Sequence, residues 1–323
     1  MINIAIIGAG GIGSRHLQGV ASMELEVRIQ VVDSCEKALT NAKKLYEQIN
    51  SCFAKDIEWL SDINHLAKNL DVVIIATSSL VRLEVLDKLL CRKSVNNLIL
   101  EKFLFPSLDE YDIAEKLISL HGCKTWVNCI RQSMPSYSWL KELLSGKLSY
   151  YHLLGGSWGL GCSGIHFLDL ITYLVNNSEN LIIENKLDSG FIKSKRDEYI
   201  EFTGGITGSL KKCEQFSLTS YRNNNAPIIA FMGNDNLRCI VQESQHKILL
   251  ERKENDWKQE ILEFPMQYVS SLTGKLVQEI IKTSDCSLPK YENSAILHKA
   301  LLTTFLDHYN HGRKEKSEIC PIT

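Results

Sequence analysis

The chain has 323 residues, long enough for two domains with separate cores, and its 44% hydrophobic and 23% charged residues are the balance of an ordinary globular protein. A formal net charge of −2, with no basic run interleaved with aromatics, excludes a nucleic-acid-binding surface, and no apolar stretch reaches the ~20 residues of a membrane span. The ten cysteines are scattered without a C-x-x-C pair, which excludes a zinc ribbon and reads as free thiols in a reducing cytoplasm.

The first strand begins near residue 2, leaving no room for a secretory leader, so a cytoplasmic protein is expected. That run, Asn3–Ile7, breaks into Gly8-Ala9-Gly10-Gly11-Ile12-Gly13, and a second apolar run, Val27–Val32, ends at Asp33, about twenty residues beyond the last glycine. Strand, glycine turn, helix, strand and acid together form the dinucleotide fingerprint. Gly8 permits the tight turn, Gly10 lets backbone approach a pyrophosphate, and Gly13 lets helix and strand pack closely. Gly11 and Ile12 complete the turn, and a helix from about Ser14 offers its free N–H groups to the phosphates. Asp33 accepts hydrogen bonds from the adenosine ribose and repels a 2′-phosphate. With Ser34 next and no arginine just after it, NAD(H) is expected over NADP(H).

Further strands are predicted at Asp71–Ala76, Asn97–Leu100 and Thr125–Asn128. Amphipathic runs alternate with the strands at His16–Ser22, Glu36–Ile49, Ile63–Leu70, Leu83–Cys91 and Asp109–Leu120. This is the pattern of a doubly wound parallel sheet whose strand C-termini share one cofactor edge. Thr77 and Ser78 end a strand at that edge, where cofactor contact and simple turn formation fit equally. Glu101 and Lys102 end the apolar run Leu98–Leu100 at the same edge. A lysine partly desolvated beside a nicotinamide cation has a lowered pKa suited to proton transfer or to polarising a hydroxyl.

After Asn128 and Arg131, Pro135 is placed to open a helix over Pro135–Leu144. Arg131 is a candidate clamp for a substrate carboxylate or phosphate, or a tie between domains through backbone carbonyls. From about residue 148 the pattern becomes successive strands, at Leu148–Ser157, Leu181–Glu184, Tyr199–Phe202, Ile206–Leu210, Gln215–Tyr221, Ile228–Met232, Leu237–Gln242, Lys247–Arg252 and Gln259–Leu262. Helices are expected at Gly164–Leu174, Gln267–Lys282 and Glu292–Asn310. An α/β class follows: an N-terminal Rossmann domain over 1–127, and an α+β domain over 128–323 with a large open, mostly antiparallel sheet. The final helix is free to pack back on the first domain. Within the second domain, Ser157–Asp169 runs from strand through glycine turn into helix. It carries Trp158, a candidate for stacking on a sugar or nicotinamide, Cys162, and His166, a candidate general base in the helix's first turn. Asp169 would orient His166 or cap helix N–H groups. No metal site is expected: His308 and His311 lack a third ligand.

Together these segments resemble the glucose-fructose oxidoreductase and inositol dehydrogenase family, often called Gfo/Idh/MocA, over nearly the whole chain. The resemblance rests on Gly8-x-Gly10-x-x-Gly13-x-x-His16, Ala76-Thr77, Glu101-Lys102, Asn128-x-x-Arg131-x-x-x-Pro135 and Gly164-x-His166-x-x-Asp169. It implies an NAD(H)-dependent oxidoreductase acting on a hydroxyl or ketone of a sugar, sugar derivative or nucleotide sugar. Lys102 would hold the substrate oxygen and His166 would take its proton. It also implies a homodimer or homotetramer built through the C-terminal sheet. Two positions depart from the family pattern: Phe103 stands in place of a proline, and Cys162 in place of an aspartate four residues before the histidine. The thiol cannot supply that charge. Two other readings therefore stay open: a non-catalytic NAD-binding regulator, and an NAD-assisted epimerase or lyase.

Overall fold

The computed structural model describes residues 1–49, 56–223 and 225–323. In chain order the elements are β1 (Ile2–Ile7), α1 (Gly11–Ala21), β2 (Val27–Val32), α2 (Glu36–Tyr46), β3 (Asp56–Leu60), β4 (Asn69–Ile75), α3 (Ser79–Leu90), β5 (Ser94–Leu100), α4 (Asp109–His121) and β6 (Lys124–Val127). There follow α5 (Pro135–Leu144), β7 (Leu148–Gly156), α6 (Leu160–Val175), β8 (Ile182–Leu187), β9 (Ile192–Lys193), β10 (Ile200–Glu201), β11 (Gly204–Leu210) and β12 (Cys213–Tyr221). The chain ends with β13 (Ile229–Gly233), β14 (Leu237–Gln242), β15 (Lys247–Arg252), β16 (Gln259–Glu263), α7 (Val269–Thr283) and α8 (Tyr291–Asn310).

Two compact units result. The first comprises 1–105, 109–130 and 267–294; the second comprises 106–108, 131–266 and 295–323. In the first, six strands pair all-parallel in the order β3-β2-β1-β4-β5-β6, the doubly wound arrangement, with its switch point between β1 and β4. The central strands are continuous apolar runs because both their faces are covered: Ile4, Ala5, Ile6, Val72, Val73, Ile74 and Leu98 are fully buried. The strand β3 carries no such run. It is an edge strand whose Asp56 and Glu58 pair with Arg28 of β2, so its polar alternation hides it from a hydrophobicity reading. The run Ile63–Leu70, helical by its pattern, is one short 3-10 turn at Ile63–His65 leading into β4.

The chain returns to this unit at α7, which crosses α1 at two glycines. A Cβ on Gly274 would lie 2.5 Å from the Gly19 carbonyl oxygen, so only glycine permits this approach. The helix that packs on the Rossmann sheet is thus α7, whereas most of the final helix, from Ala295 onward, belongs to the second unit.

The second unit is built on an eight-stranded sheet in the order β16-β15-β14-β13-β7-β12-β11-β8, antiparallel except for the β7–β12 pair. Strands such as β14 alternate between buried and less buried positions. On one face Tyr151, Leu153, Phe216, Leu218, Met232 and Val241 are buried, with α6 packed against β12. Among the described residues no helix is long and apolar enough to cross a membrane, and no cluster of three or more metal-ligating side chains occurs. The described cysteines form no disulfide; Cys52 lies outside the described residues.

Candidate functional site

In the first unit the glycine turn follows β1 at the switch point. Gly8 has a φ of 98°, and a Cβ there would meet Ala76 and Thr77 backbone at 2.9 Å; a Cβ on Gly13 would lie 1.8 Å from the Gly8 carbonyl oxygen. Gly10 and Gly11 are the opposite case. Both are exposed, a Cβ on either would have no protein atom within 4 Å, and α1 begins at Gly11 with no side-chain cap and no acid in its first turn. Two glycines are therefore required by packing, and two leave open space in front of an uncapped helix N-terminus.

Asp33 sits beside this opening. Its Oδ2 accepts the Ala9 N–H at 2.7 Å and its Oδ1 accepts the Cys35 N–H at 2.8 Å, so the acid also pins the glycine turn to the end of β2. A cleft of about 330 Å³ opens there, lined in part by Asp33, Ser34, Asp62, Thr77, Glu84 and Lys88. Three carboxylates face it, and the lysine is turned toward Asp62 at 3.4 Å. The Thr77 hydroxyl is buried and has no hydrogen-bond partner among the described residues. Ser78 starts α3 without a side-chain cap bond.

The end of β5 is held by groups that the sequence pattern did not single out. Arg82, buried on α3, donates to the carbonyls of Thr77, Phe103 and Leu104, clamping the segment after Lys102 to the strand end that carries Thr77. The Lys102–Phe103 peptide is cis. Glu101, expected among the cofactor contacts, is instead a buried strut. Its Oε1 lies 2.9 Å from His16 Nε2 and accepts from the Asn128 amide, while His16 Nδ1 lies 2.8 Å from the Thr273 hydroxyl. Burial pushes the Glu101 carboxyl up, but the His16 bond and charge, the Lys102 charge and the Asn128 bond outweigh it, and its pKa ends below the ordinary value. One polar chain thus links α1, β5, β6 and α7 immediately before Lys102, whose side chain is half-buried.

In the second unit α6 starts at Leu160, four residues earlier than the hydrophobic pattern indicates. Gly159 takes the left-handed conformation (φ 78°) that turns the chain into the helix. His166 therefore sits in the second turn, not the first, half-buried and four residues after Cys162, so those two side chains share a helix face. The first-turn N–H groups are taken by a residue absent from the sequence reading: Gly161 and Cys162 donate to the carboxylate of Glu201 at 2.8 and 3.1 Å.

Arg131 is not an open clamp. Its Nε and Nη2 donate to Glu243 at 2.8 Å each, its guanidinium lies 4.1 Å over the Phe167 ring, and Tyr137 donates to the same carboxylate. Burial alone would raise the Glu243 pKa, but Arg131 and the hydrogen bonds bring it below its ordinary value. The fork that could have gripped a substrate anion is closed internally. Asp169 neither caps the helix, lying well inside it, nor finds a partner at Oδ2; burial pushes its pKa well above the carboxylate range, with Arg131 opposing. Trp158 donates Nε1–H to the Thr219 carbonyl at 2.8 Å and meets Phe167 edge-on, leaving its ring partly exposed.

A doubly wound parallel sheet with an open glycine turn, joined in one chain to a unit on a wide antiparallel sheet, defines a two-unit Rossmann protein. Residues 2–129 match the model of the oxidoreductase family with an NAD-binding Rossmann fold, GFO_IDH_MocA. No curated protein matches in sequence. Solved structures similar over nearly the whole chain include UDP-N-acetylglucosamine 3-dehydrogenase GnnA from Acidithiobacillus ferrooxidans (TM-score 0.69, 13% identity, 94% of each chain covered). The super-repressor mutant of Gal80p from Saccharomyces cerevisiae is also similar (TM-score 0.73, 13% identity, 96% of each chain). A third is a levoglucosan dehydrogenase in complex with NADH (TM-score 0.72, 12% identity, 95% of this chain and 97% of that one). At such identities the likeness is one of fold.

Proposed function

We propose that the chain is an NAD(H)-dependent oxidoreductase acting on a hydroxyl or ketone carbon of a sugar, sugar derivative or nucleotide sugar. The observation that carries the reading is the open half of the glycine turn. Gly10 and Gly11 face free space at an uncapped helix N-terminus, beside the partnerless Thr77 hydroxyl, within a segment that matches an NAD-binding oxidoreductase family. These residues fit a dinucleotide: the first-turn N–H groups of α1 would hold the pyrophosphate, Thr77 and Ser78 would lie along it, and Asp33 would hold the ribose. The acidic cleft disfavours a 2′-phosphate, which supports NAD(H) over NADP(H).

A bound nicotinamide would supply or accept the hydride. Lys102 is assigned to hold and polarise the substrate oxygen, and His166 to take the hydroxyl proton in the oxidative direction. Glu101, Asn128 and Arg82 keep the backbone around Lys102 fixed, which is how they serve the reaction without touching it. The exposed face of the eight-stranded sheet is assigned to self-association.

The test is a panel of sugars and nucleotide sugars with NAD⁺ and NADP⁺, followed at the reduced-nicotinamide absorbance band. Turnover with NAD⁺ that disappears in Lys102→Ala and in His166→Ala, while NADH still binds both variants, supports the reading. Both variants retaining full turnover would overturn the assignment of the site. Cys162 in the place of an aspartate and the fold likeness to a super-repressor mutant favour one second reading, an NAD-binding regulator. NADH binding without turnover on any substrate, and an unchanged cellular phenotype in the double variant, would select it.

A further inference from the structure

We propose that Glu201 is a positioning residue for His166: its carboxylate locks the first turn of α6 and keeps that helix end closed to substrate anions. The inference rests on the reading of His166 given above. Four observations carry it. Both carboxylate oxygens are spent on the helix, Oε2 accepting from Gly161 N–H at 2.8 Å and Oε1 from Cys162 N–H at 3.1 Å. The acid arrives from β10, about forty residues along the chain, and is buried there at 8% exposure. The turn is shaped around it. A Cβ on Gly159 would lie 3.0 Å from Oε1 and one on Gly161 would lie 3.1 Å from Oε2, so the two glycines make the cradle that admits the carboxylate. Finally, α6 has no acid in its own first turn and no side-chain cap at Gly159, so this charge comes from Glu201.

The consequences are chemical. A helix start of this kind ordinarily offers N–H groups and a positive dipole end to a phosphate or carboxylate. Here both are answered from within the protein, by the carboxylate of Glu201. The substrate group presented to His166 is therefore a neutral hydroxyl, with any phosphate or carboxylate held away from this turn. The rigid first turn also sets the direction of His166 one turn further on.

The test compares Glu201→Gln with the unaltered protein in two measurements. The first needs no substrate: alkylation of Cys162 by iodoacetamide, followed by peptide mass mapping, is expected to speed up roughly three- to tenfold once the neighbouring negative charge is gone. Glu201→Ala, which removes the charge by a different truncation, is expected to act in the same direction, so an unstable Glu201→Gln protein does not end the test. The second is turnover: kcat falls about tenfold with KM for a neutral sugar within about twofold, and Cys162→Asp introduced into Glu201→Gln restores much of the loss by returning a carboxylate to the same turn. An unchanged alkylation rate in both variants overturns the proposal. So does a fall in kcat that only follows the folded fraction and that Cys162→Asp leaves unrepaired. If instead His166→Ala retains full turnover, the catalytic reading fails while the alkylation result still decides the role of Glu201 at the helix.

Discussion

Two buried carboxyl groups, Asp169 and Glu101, have shifts of opposite sign, and their environments explain why. Asp169 is desolvated with Oδ2 unbonded, so its neutral form is favoured. The unfolded chain ionises this group near 3.8, while the folded chain keeps the proton to higher pH, so stability falls as pH rises above that point. Asp169→Asn is therefore expected to stabilise by about 1 kcal/mol, or roughly 2–4 °C in Tm, at pH 8 and to give no gain near pH 4. Thermal melts across that range check it, and a lower Tm at pH 8 would show an ionised, paired carboxylate instead. Glu101 runs the other way. Its folded pKa is lowered from 4.5, so its contribution is fully present above about pH 4.5 and is lost as pH falls through the lowered value. Glu101→Gln is expected to cost about 1–3 kcal/mol at pH 7, measured by urea unfolding, and less on acidification. The packing roles of Gly8 and Gly13 were legible because both belong to a spaced local motif. Arg82, Glu201, Glu243 and Thr273 were not, because each acts on a residue that only the tertiary fold brings to it.

At the scale of elements, the glycine turn separates packing from binding within six residues. Gly13→Ala drives a methyl into the Gly8 carbonyl and is expected to destabilise by more than about 3 kcal/mol. Gly10→Ala meets nothing in the protein, so Tm should be unchanged while NADH affinity falls at least about tenfold, as read by fluorescence titration. Equal losses of stability in both variants would mean that the space at Gly10 is not a ligand site. The Arg131–Glu243 pair is an equally local device: Arg131→Met alone strands a buried carboxylate and is expected to cost about 3–5 kcal/mol, with the double Arg131→Met, Glu243→Met variant closer to wild type. Boundaries read from hydrophobic period agree with the structure where the elements are amphipathic or apolar, as at α5, β14 and β15. They slip where other forces set the end: the left-handed Gly159 and the remote Glu201 begin α6 within a glycine-rich stretch, and the ion-paired edge strand β3 has no apolar run to read.

At the scale of the molecule, the second unit leaves a sheet face to be accounted for. Alternation that buries Tyr151, Leu153 and Met232 places Tyr150, His152, Leu154, Phe231, Ile240, Leu249 and Ile261 on the opposite side, only partly covered or exposed. Register makes them one patch: Phe231 pairs with both His152 and Ile240, Ile240 pairs with Leu249, and Leu249 pairs with Ile261. A sheet this wide with apolar side chains across its open face is the kind of surface that pairs with a copy of itself, since a twofold axis brings the same patch against itself and covers both at once. A charge at its centre should then cost association without touching the fold: Phe231→Glu faces away from the buried side, so its melting temperature should stay within about 2 °C of wild type. If light scattering finds the wild-type protein to be an oligomer, the variant should be a monomer that still binds NADH, because the glycine turn belongs to the other unit. A monomeric wild-type protein would remove self-association altogether, and a Phe231→Glu variant that stays associated at micromolar concentration would place it elsewhere and leave this face for a different partner.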